Sequence, residues 1–218
     1  MEEMMETQHR ARLAIFELVN MLSVPMSFNA IVRLNVPDAI WQGGANTALT
    51  ASQILAKVLP SGGGDAENLQ RILRMLTSYG VFAEVLHDTD RAERKYSLTE
   101  IGKMLVTDAD GLSCGSYVLQ HLQDELMKAW PLVHEAVVDP TSEPFVKVNG
   151  EPAYTYYGKR PKMTGLMQKA MLGVSVPFMK AMLEAYSGFD GIQHLVDVGG
   201  STGHCLRMIC PGGLSISA

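Results

Sequence analysis

The residues whose chemistry is easiest to name stand near the C-terminus, in HLVDVGGSTGHC. Leu195-Val196-Asp197-Val198 reads as a strand, Gly199-Gly200-Ser201-Thr202-Gly203 as a tight turn, and a helix is predicted to begin near His204. Glycine accepts backbone angles that other residues resist and lets a ligand approach the main chain closely. A helix N-terminus behind such a turn offers unpaired N–H groups and a positive dipole to an anion. The chemistry implied is the cradling of a nucleotide-type cofactor, although the spacing departs from the dinucleotide fingerprint G-x-G-x-x-G. Many strand-to-helix turns are glycine-rich for packing alone, so this motif needs company before it defines a site.

A second candidate lies upstream, where Met163, Met167 and Met171 recur every four residues and so share one helical face. That face reads either as buried packing or a dimer seam, or as a soft, polarizable wall for a flat small molecule. The two readings coexist if the wall belongs to a site built against a dimer partner. The six histidines are scattered, with no Cys, Asp or second His at metal spacing, so no metal site is expected. His121 and His134 fall on a predicted helix and read as packed or exposed rather than catalytic. Cys114, Cys205 and Cys210 form no CxxC and read as free thiols of a reducing compartment.

Composition narrows the class. The chain has 218 residues, 47% hydrophobic and 19% charged, which is ordinary globular usage. A net charge of −5 argues against general affinity for nucleic acid or for an anionic membrane. The N-terminus, MEEMMETQHRARLAIFELVNML, opens with acids, and Glu17 interrupts its apolar run, so no secretory signal and no membrane span are expected. The cytoplasm is the expected location.

The elements that must position the motifs follow from periodicity and caps. Leu13, Ile15, Phe16, Leu18, Val19 and Leu22 make a broad apolar stripe on a helix over 11–22. Pro25 and Pro37 each suit the start of a helical segment, and Gly43-Gly44 ends the second. Thr50 and Asp65 suit N-caps of the next two helices. In the second of these, Leu69, Ile72, Leu73, Leu76 and Tyr79 face one way, and Gly80 ends it. VFAEVL then alternates, HDTDRAER is a charged tip, and KYSLT returns before Thr99 caps a short helix. Helices followed by a two-stranded wing predict a winged helix. A DNA reader needs a basic face, whereas residues 65–79 set Asp65 and Glu67 against Arg71 and Arg74, and residues 81–103 carry five acids against four bases. DNA binding is therefore disfavoured. Residues 116–138 predict one long helix with Val118, Leu119, Leu122, Leu126, Trp130 and Val133 on its apolar side. The Pro-, Gly- and Tyr-rich stretch from Asp139 predicts a loop, and the stretch from Met163 a further helix whose second half opens at Pro177.

From about Ala11 to Ile209 the chain resembles the plant small-molecule O-methyltransferases of the caffeate type, which use S-adenosylmethionine. ENLQRILRMLTSYGVF, KYSLTEIGKMLV, LMKAWPLVHEAV, FMKAMLEAYSGFDG and LVDVGGSTG carry the resemblance, in the family's order and spacing. Within the family it is most similar to a branch that includes nicotinate N-methyltransferase. The resemblance implies a mainly α fold. A winged-helix dimerisation domain would span 11–112. Residues 113–218 would hold linking helices, then the first β-strand and turn of an incomplete Rossmann-like α/β methyltransferase domain.

Carried over by position, the resemblance implies that Asp197, Gly199, Gly200, Ser201 and Gly203 form the first S-adenosylmethionine loop. Ser175 would touch the cofactor's methionine end and Tyr154 would pack beside it. Met163, Met167, Met171, Tyr157 and Val174 would line the acceptor pocket together with Gln120 and His121. Tyr157 and Val174 stand where caffeate-type members often carry histidines, which argues against a caffeate-like acceptor. Ser201 replaces the middle glycine of the usual Gly-Gly-Gly-Thr-Gly turn; serine fits if its φ is negative, and weakened binding is then expected.

After Ile209 the family pattern gives way to PGGLSISA. The family's acidic residue at the end of the second strand and its downstream histidine base are not found in this sequence, and a further roughly 100–150 residues would be needed to supply them. A lone parallel strand cannot bury its faces, so residues from Leu195 onward are expected to lack fixed packing or to borrow it. Two function classes follow. One is methyl transfer to a small aromatic acceptor, with catalysis by this chain in question and N-methylation of nicotinate within its range. The other is a non-catalytic dimerisation module that pairs with itself or with a full-length relative.

Overall fold

A computed structural model describes residues 2–86 and 93–210, and the chain divides into two compact units, 1–106 and 107–218. The first unit opens with α1 (Glu2–Asn20), followed after a turn at Met21 and Leu22 by α2 (Ser23–Arg33). The apolar stripe forms, but it stays in solvent: Leu13, Phe16, Leu18 and Val19 are 61–73% exposed. By length and composition alone, Met5–Arg33 is apolar enough to cross a membrane, although Glu17 interrupts its apolar run.

Proline and capping residues set the next boundaries. Pro25 sits in the first turn of α2, and Pro37 starts α3 (Val36–Trp41), where a missing N–H costs nothing. A short 3₁₀ turn, Gln42–Gly44, leads toward β1 (Leu49–Thr50). α4 (Ala51–Val58) begins with a reciprocal cap: Gln53 N–H donates to Thr50 Oγ1 at 3.2 Å and Thr50 N–H donates to Gln53 Oε1 at 2.9 Å. Asp65 Oδ1 accepts from the Glu67 and Asn68 amides at the start of α5 (Ala66–Ser78). Gly80, at φ +72°, then turns the chain.

β2 (Phe82–Leu86) and β3 (Arg94–Leu98) pair antiparallel with Phe82 opposite Leu98 and Leu86 opposite Arg94. The sheet has a third strand that periodicity did not reveal. β1 lies on the other side of β3, Leu49 opposite Tyr96, so the order is β1-β3-β2. Two residues are too few to show an alternation, and Thr50 was legible only as a cap. The tip at 87–92 lies outside the described residues. Thr99 caps α6 (Glu100–Lys103) through the Gly102 amide.

The core of this unit is formed by Ile31, Ile40, Ile54, Leu73, Leu76, Phe82 and Tyr96, all buried. Leu69, Leu73 and Leu76 face it as predicted, whereas Tyr79 caps the end of α5 and is half exposed. Tyr96 carries the one polar atom of this group inward, and its hydroxyl donates to Glu84 Oε1 at 3.1 Å while Arg94 Nη1 donates to the same oxygen at 2.9 Å. Burial, then the Glu84 hydrogen bond, pushes the Tyr96 phenol up to about 12.

The second unit corrects the single long helix predicted for 116–138. It breaks into α7 (Cys114–His121), α8 (Asp124–Met127), a 3₁₀ turn at Trp130–Leu132 and α9 (Val133–Val138). Gln123 takes an extended backbone (φ −71°, ψ 151°) between α7 and α8, and Pro131 starts the 3₁₀ turn. Trp130 and Val133, predicted on the apolar side, are exposed. The predicted loop from Asp139 holds two helices, α10 (Pro144–Asn149) and α11 (Ala153–Gly158). α10 opens with Pro144 and α11 follows Pro152, and Gly150 at φ +86° separates them. Their shortness hid them from any periodicity test. Asn149 Nδ2 ties α10 to α8 by donating to the Glu125 carbonyl at 3.0 Å.

α12 runs unbroken from Pro161 to Ala185, with Pro177 inside it rather than at a new start. It crosses α7 at close range. A Cβ on Gly173 would lie 2.5 Å from the Ser113 carbonyl oxygen, so only glycine fits there. Beyond it, residues 195–198 have no strand partner among the described residues, and Val196 and Val198 are 83% and 92% exposed. A parallel strand exists only through its neighbours' hydrogen bonds, which accounts for the missing assignment. Residues 204–209 nevertheless form α13 (His204–Ile209), which packs on α12 of the same chain, whereas residues from Leu195 onward were expected to lack fixed packing or to borrow it from a partner. Residues 211–218 lie outside the described residues.

Candidate cofactor and acceptor site

The glycine turn has the backbone that a close ligand approach requires. Gly199 and Gly203 have φ of +78° and +68°, and Gly203 is the residue from which α13 starts. A Cβ built on Gly199 would meet nothing within 4 Å, so the main chain is open there. Gly200 is the opposite case: its Cβ would fall 2.0 Å from Asp197 Oδ2, because the Asp197 carboxylate folds over it. Ser201 corrects the sequence reading. Its φ is +51°, not negative, so serine stands in the left-handed region that the replaced glycine would occupy without strain. Asp197, Gly199 and Ser201 are exposed, while Gly200 and Gly203 are half-buried.

The candidate acceptor wall comes from elements that pack together, α7 and α11 each against α12. On α12, Met163 and Met167 are half-buried, Met171 is exposed, and Val174 and Ser175 follow the close contact at Gly173, half-buried. Tyr157 of α11 is buried among Phe145 and Tyr156, with ring centroids 5.9 and 6.1 Å away in edge-on geometry. Burial raises the Tyr157 phenol, with Glu125 and Tyr156 adding to it. Tyr154, expected to pack beside the cofactor, is 84% exposed and faces solvent.

On α7 the two predicted neighbours separate. Gln120 is buried, and its Oε1 has no hydrogen-bond partner among the described residues. His121 is exposed; its Nδ1–H donates to the Tyr117 carbonyl at 3.0 Å and its ring lies 3.8 Å from the Tyr117 ring, centroid to centroid. In the neutral ring this leaves Nε2 as an acceptor. Sequence reasoning missed Gln123, which is buried and donates from Nε2 to the Tyr157 hydroxyl oxygen at 3.0 Å. Its only sequence signal was position, three residues after Gln120 in a stretch read as continuous helix.

A winged-helix unit followed by linking helices and a glycine turn defines a class of two-part methyltransferases. A family model described as the O-methyltransferase dimerisation domain matches residues 16–108, and one described as the O-methyltransferase domain matches residues 130–211. The chain belongs to the O-methyltransferase family. It is 68% identical over 208 residues to nicotinate N-methyltransferase 1 of Glycine max and 65% identical over 211 residues to that of Arabidopsis thaliana, covering 95% of this chain in each case. It is 35% identical over 207 residues to caffeic acid 3-O-methyltransferase of Ammi majus, covering 94% of this chain. The chain spans 58% of the length of the two nicotinate enzymes and 56% of the caffeic acid enzyme. Among solved structures, it resembles CalO1, a methyltransferase of calicheamicin biosynthesis in its SAH-bound form (TM-score 0.70, 20% identity, 92% of this chain and 55% of that one). The pyocyanin biosynthetic protein PhzM is similar in fold (TM-score 0.70, 24% identity, 92% of this chain and 54% of that one). At these identities the likeness concerns the fold alone.

Proposed function

We propose that this chain carries the S-adenosylmethionine turn and the acceptor wall of a methyltransferase acting on a small aromatic acceptor, with a pyridine nitrogen as the atom methylated. Asp197, Gly199, Gly200 and Gly203 would hold the methionine end of the cofactor, and the open main chain at Gly199 fits that task. Bound there, S-adenosylmethionine supplies an electrophilic methyl group. The observation that carries the acceptor reading is the 65–68% identity to two nicotinate N-methyltransferases, beside a wall whose buried polar groups, Gln120, Gln123 and Tyr157, offer hydrogen bonds for positioning. A phenolic acceptor needs a base, worth roughly 10²–10⁴-fold in rate. A pyridine nitrogen presents its own lone pair and needs only positioning. The similarity to nicotinate N-methyltransferases supports the same class of acceptor.

Calorimetric titration of S-adenosylmethionine into the chain tests the first half. Micromolar binding, with label transferred to nicotinate and not to caffeate, is the expected result. Binding with transfer only to caffeate would overturn the acceptor reading, and no binding would overturn the cofactor reading.

A second reading has its own observation, the exposed apolar face of α1. It supports a dimerisation module that pairs with another copy or with a full-length relative, active or not. Leu18→Glu should convert a dimer to a monomer in light scattering, and an unchanged dimer would remove α1 from the interface. The free thiols Cys114, Cys205 and Cys210 suit the cytoplasm as the proposed compartment.

A further inference from the structure

Among the asparagines of this chain, only Asn149 precedes a glycine. A glycine there has no side chain to shield its own nitrogen, which can therefore reach the neighbouring side-chain amide carbon. The pair ends α10, with Asn149 half-buried and Gly150 exposed at φ +86°. The folded chain occupies both reacting groups. Gly150 N–H donates to the Val146 carbonyl at 2.7 Å. Asn149 Nδ2 donates to the Glu125 and Phe145 carbonyls at 3.0 and 3.1 Å. A helix of six residues is too short to persist by itself, so these bonds set how often its last turn opens.

We infer that Asn149–Gly150 is a site of spontaneous deamidation, gated by the last turn of α10, whose product releases α10 from α8. When the turn opens, the Gly150 nitrogen bonds to Asn149 Cγ and the Cγ–Nδ2 bond breaks. The proton that Gly150 gives up leaves with Nδ2 as ammonia, and a succinimide ring remains. Water then opens that ring at either of its carbonyls, giving aspartate or isoaspartate. Either product puts a carboxylate where an amide stood, and a carboxylate only accepts hydrogen bonds. Both former partners are carbonyl oxygens, so neither bond can form again, and oxygen faces oxygen. Phe145, one turn earlier in α10, lies edge-on to Tyr156 and Tyr157 with centroids 5.6 and 5.9 Å away. Release of α10 therefore loosens the packing of Tyr157 as well. This chemistry needs no bound ligand and stands apart from the acceptor reading.

The test incubates the 218-residue chain near neutral pH, folded and in urea, and follows the tryptic peptide 148–159 by mass spectrometry. Position 149 should gain the mass of an amide-to-acid exchange and split into two chromatographic species. The folded chain should convert roughly tenfold or more slowly than the chain in urea, because three hydrogen bonds must open first. Equal rates would overturn the gate, and a folded chain that never converts would overturn the site. The converted chain carries one more negative charge, so anion exchange separates it without any substitution. It should show a lower urea midpoint and a weaker near-ultraviolet tyrosine signal than the unconverted chain. An unchanged midpoint and signal would overturn the release of α10.

Discussion

Gly102 and Gly200 both stand where a side chain has no room, and the obstacle differs. A Cβ on Gly102 would lie 2.4 Å from the Val81 carbonyl oxygen and 3.2 Å from Leu98 Cδ2, in the buried joint between α6 and the sheet. A Cβ on Gly200 would meet the far end of the exposed Asp197 side chain at 2.0 Å, and that carboxylate can swing into solvent. Backbone crowds the first position; a movable polar group crowds the second. The first glycine is therefore required by the fold, the second by whatever Asp197 and the turn hold.

Substitutions turn this contrast into measurements. The largest effect belongs to the core around the wing: Leu73→Ala, at a fully buried position, should cost about 3 kcal/mol in urea unfolding. A cost under about 1 kcal/mol would mean that the site collapses around the lost atoms. Next comes the paired glycine test. Gly102→Ala should cost about 2 kcal/mol by overpacking against backbone. Gly200→Ala should stay within about 0.5 kcal/mol, as surface changes do, yet weaken S-adenosylmethionine binding. Equal stability costs at the two positions would end the distinction. A smaller gain is expected from Ser201→Gly, which relieves about 1 kcal/mol of left-handed strain and should tighten S-adenosylmethionine binding severalfold. An unchanged or weaker affinity would show that the serine side chain, not its backbone, matters.

The smallest effect is a pH dependence. The Tyr96 phenol is raised in the fold, so the folded state favours the proton. Its contribution to stability is complete below the ordinary tyrosine value of about 10. It is lost as pH rises toward about 12, the folded-state value. Denaturant midpoints of the wild type should fall across that window, and those of Tyr96→Phe should fall less.

How legible each region was follows the same contrast. Thr50, Asp65 and Thr99 announced their helices because a cap is a local bond between a side chain and an amide two or three residues on. Leu73 and Leu76 announced the core because helical spacing alone puts them on one face. β1 stayed hidden because two residues carry no period, and its existence depends on β3, far along the chain. The break at Gln123 stayed hidden because apolar residues continue through it while the backbone does not, and α10 and α11 stayed hidden because each is too short to show a period.

At the site, the glycine turn was readable by type and spacing, and its backbone angles at Gly199 and Gly203 agree. The sign of φ at Ser201 was not readable, because serine tolerates both signs at different energies. Tyr154 and Tyr157 read alike as aromatic wall residues, yet one is exposed and the other buried.

By itself, the sequence determined the capped helices, the wing, the glycine turn and the family, since each rests on residue type within a short span or on order along the chain. Only the tertiary structure decided that α1 keeps its apolar face in solvent, that α12 presses backbone to backbone on α7 at Gly173, and that Gln123 meets Tyr157. Those outcomes depend on which surfaces distant segments bring together, and burial and hydrogen-bond partnership are properties of the pair, not of either residue alone.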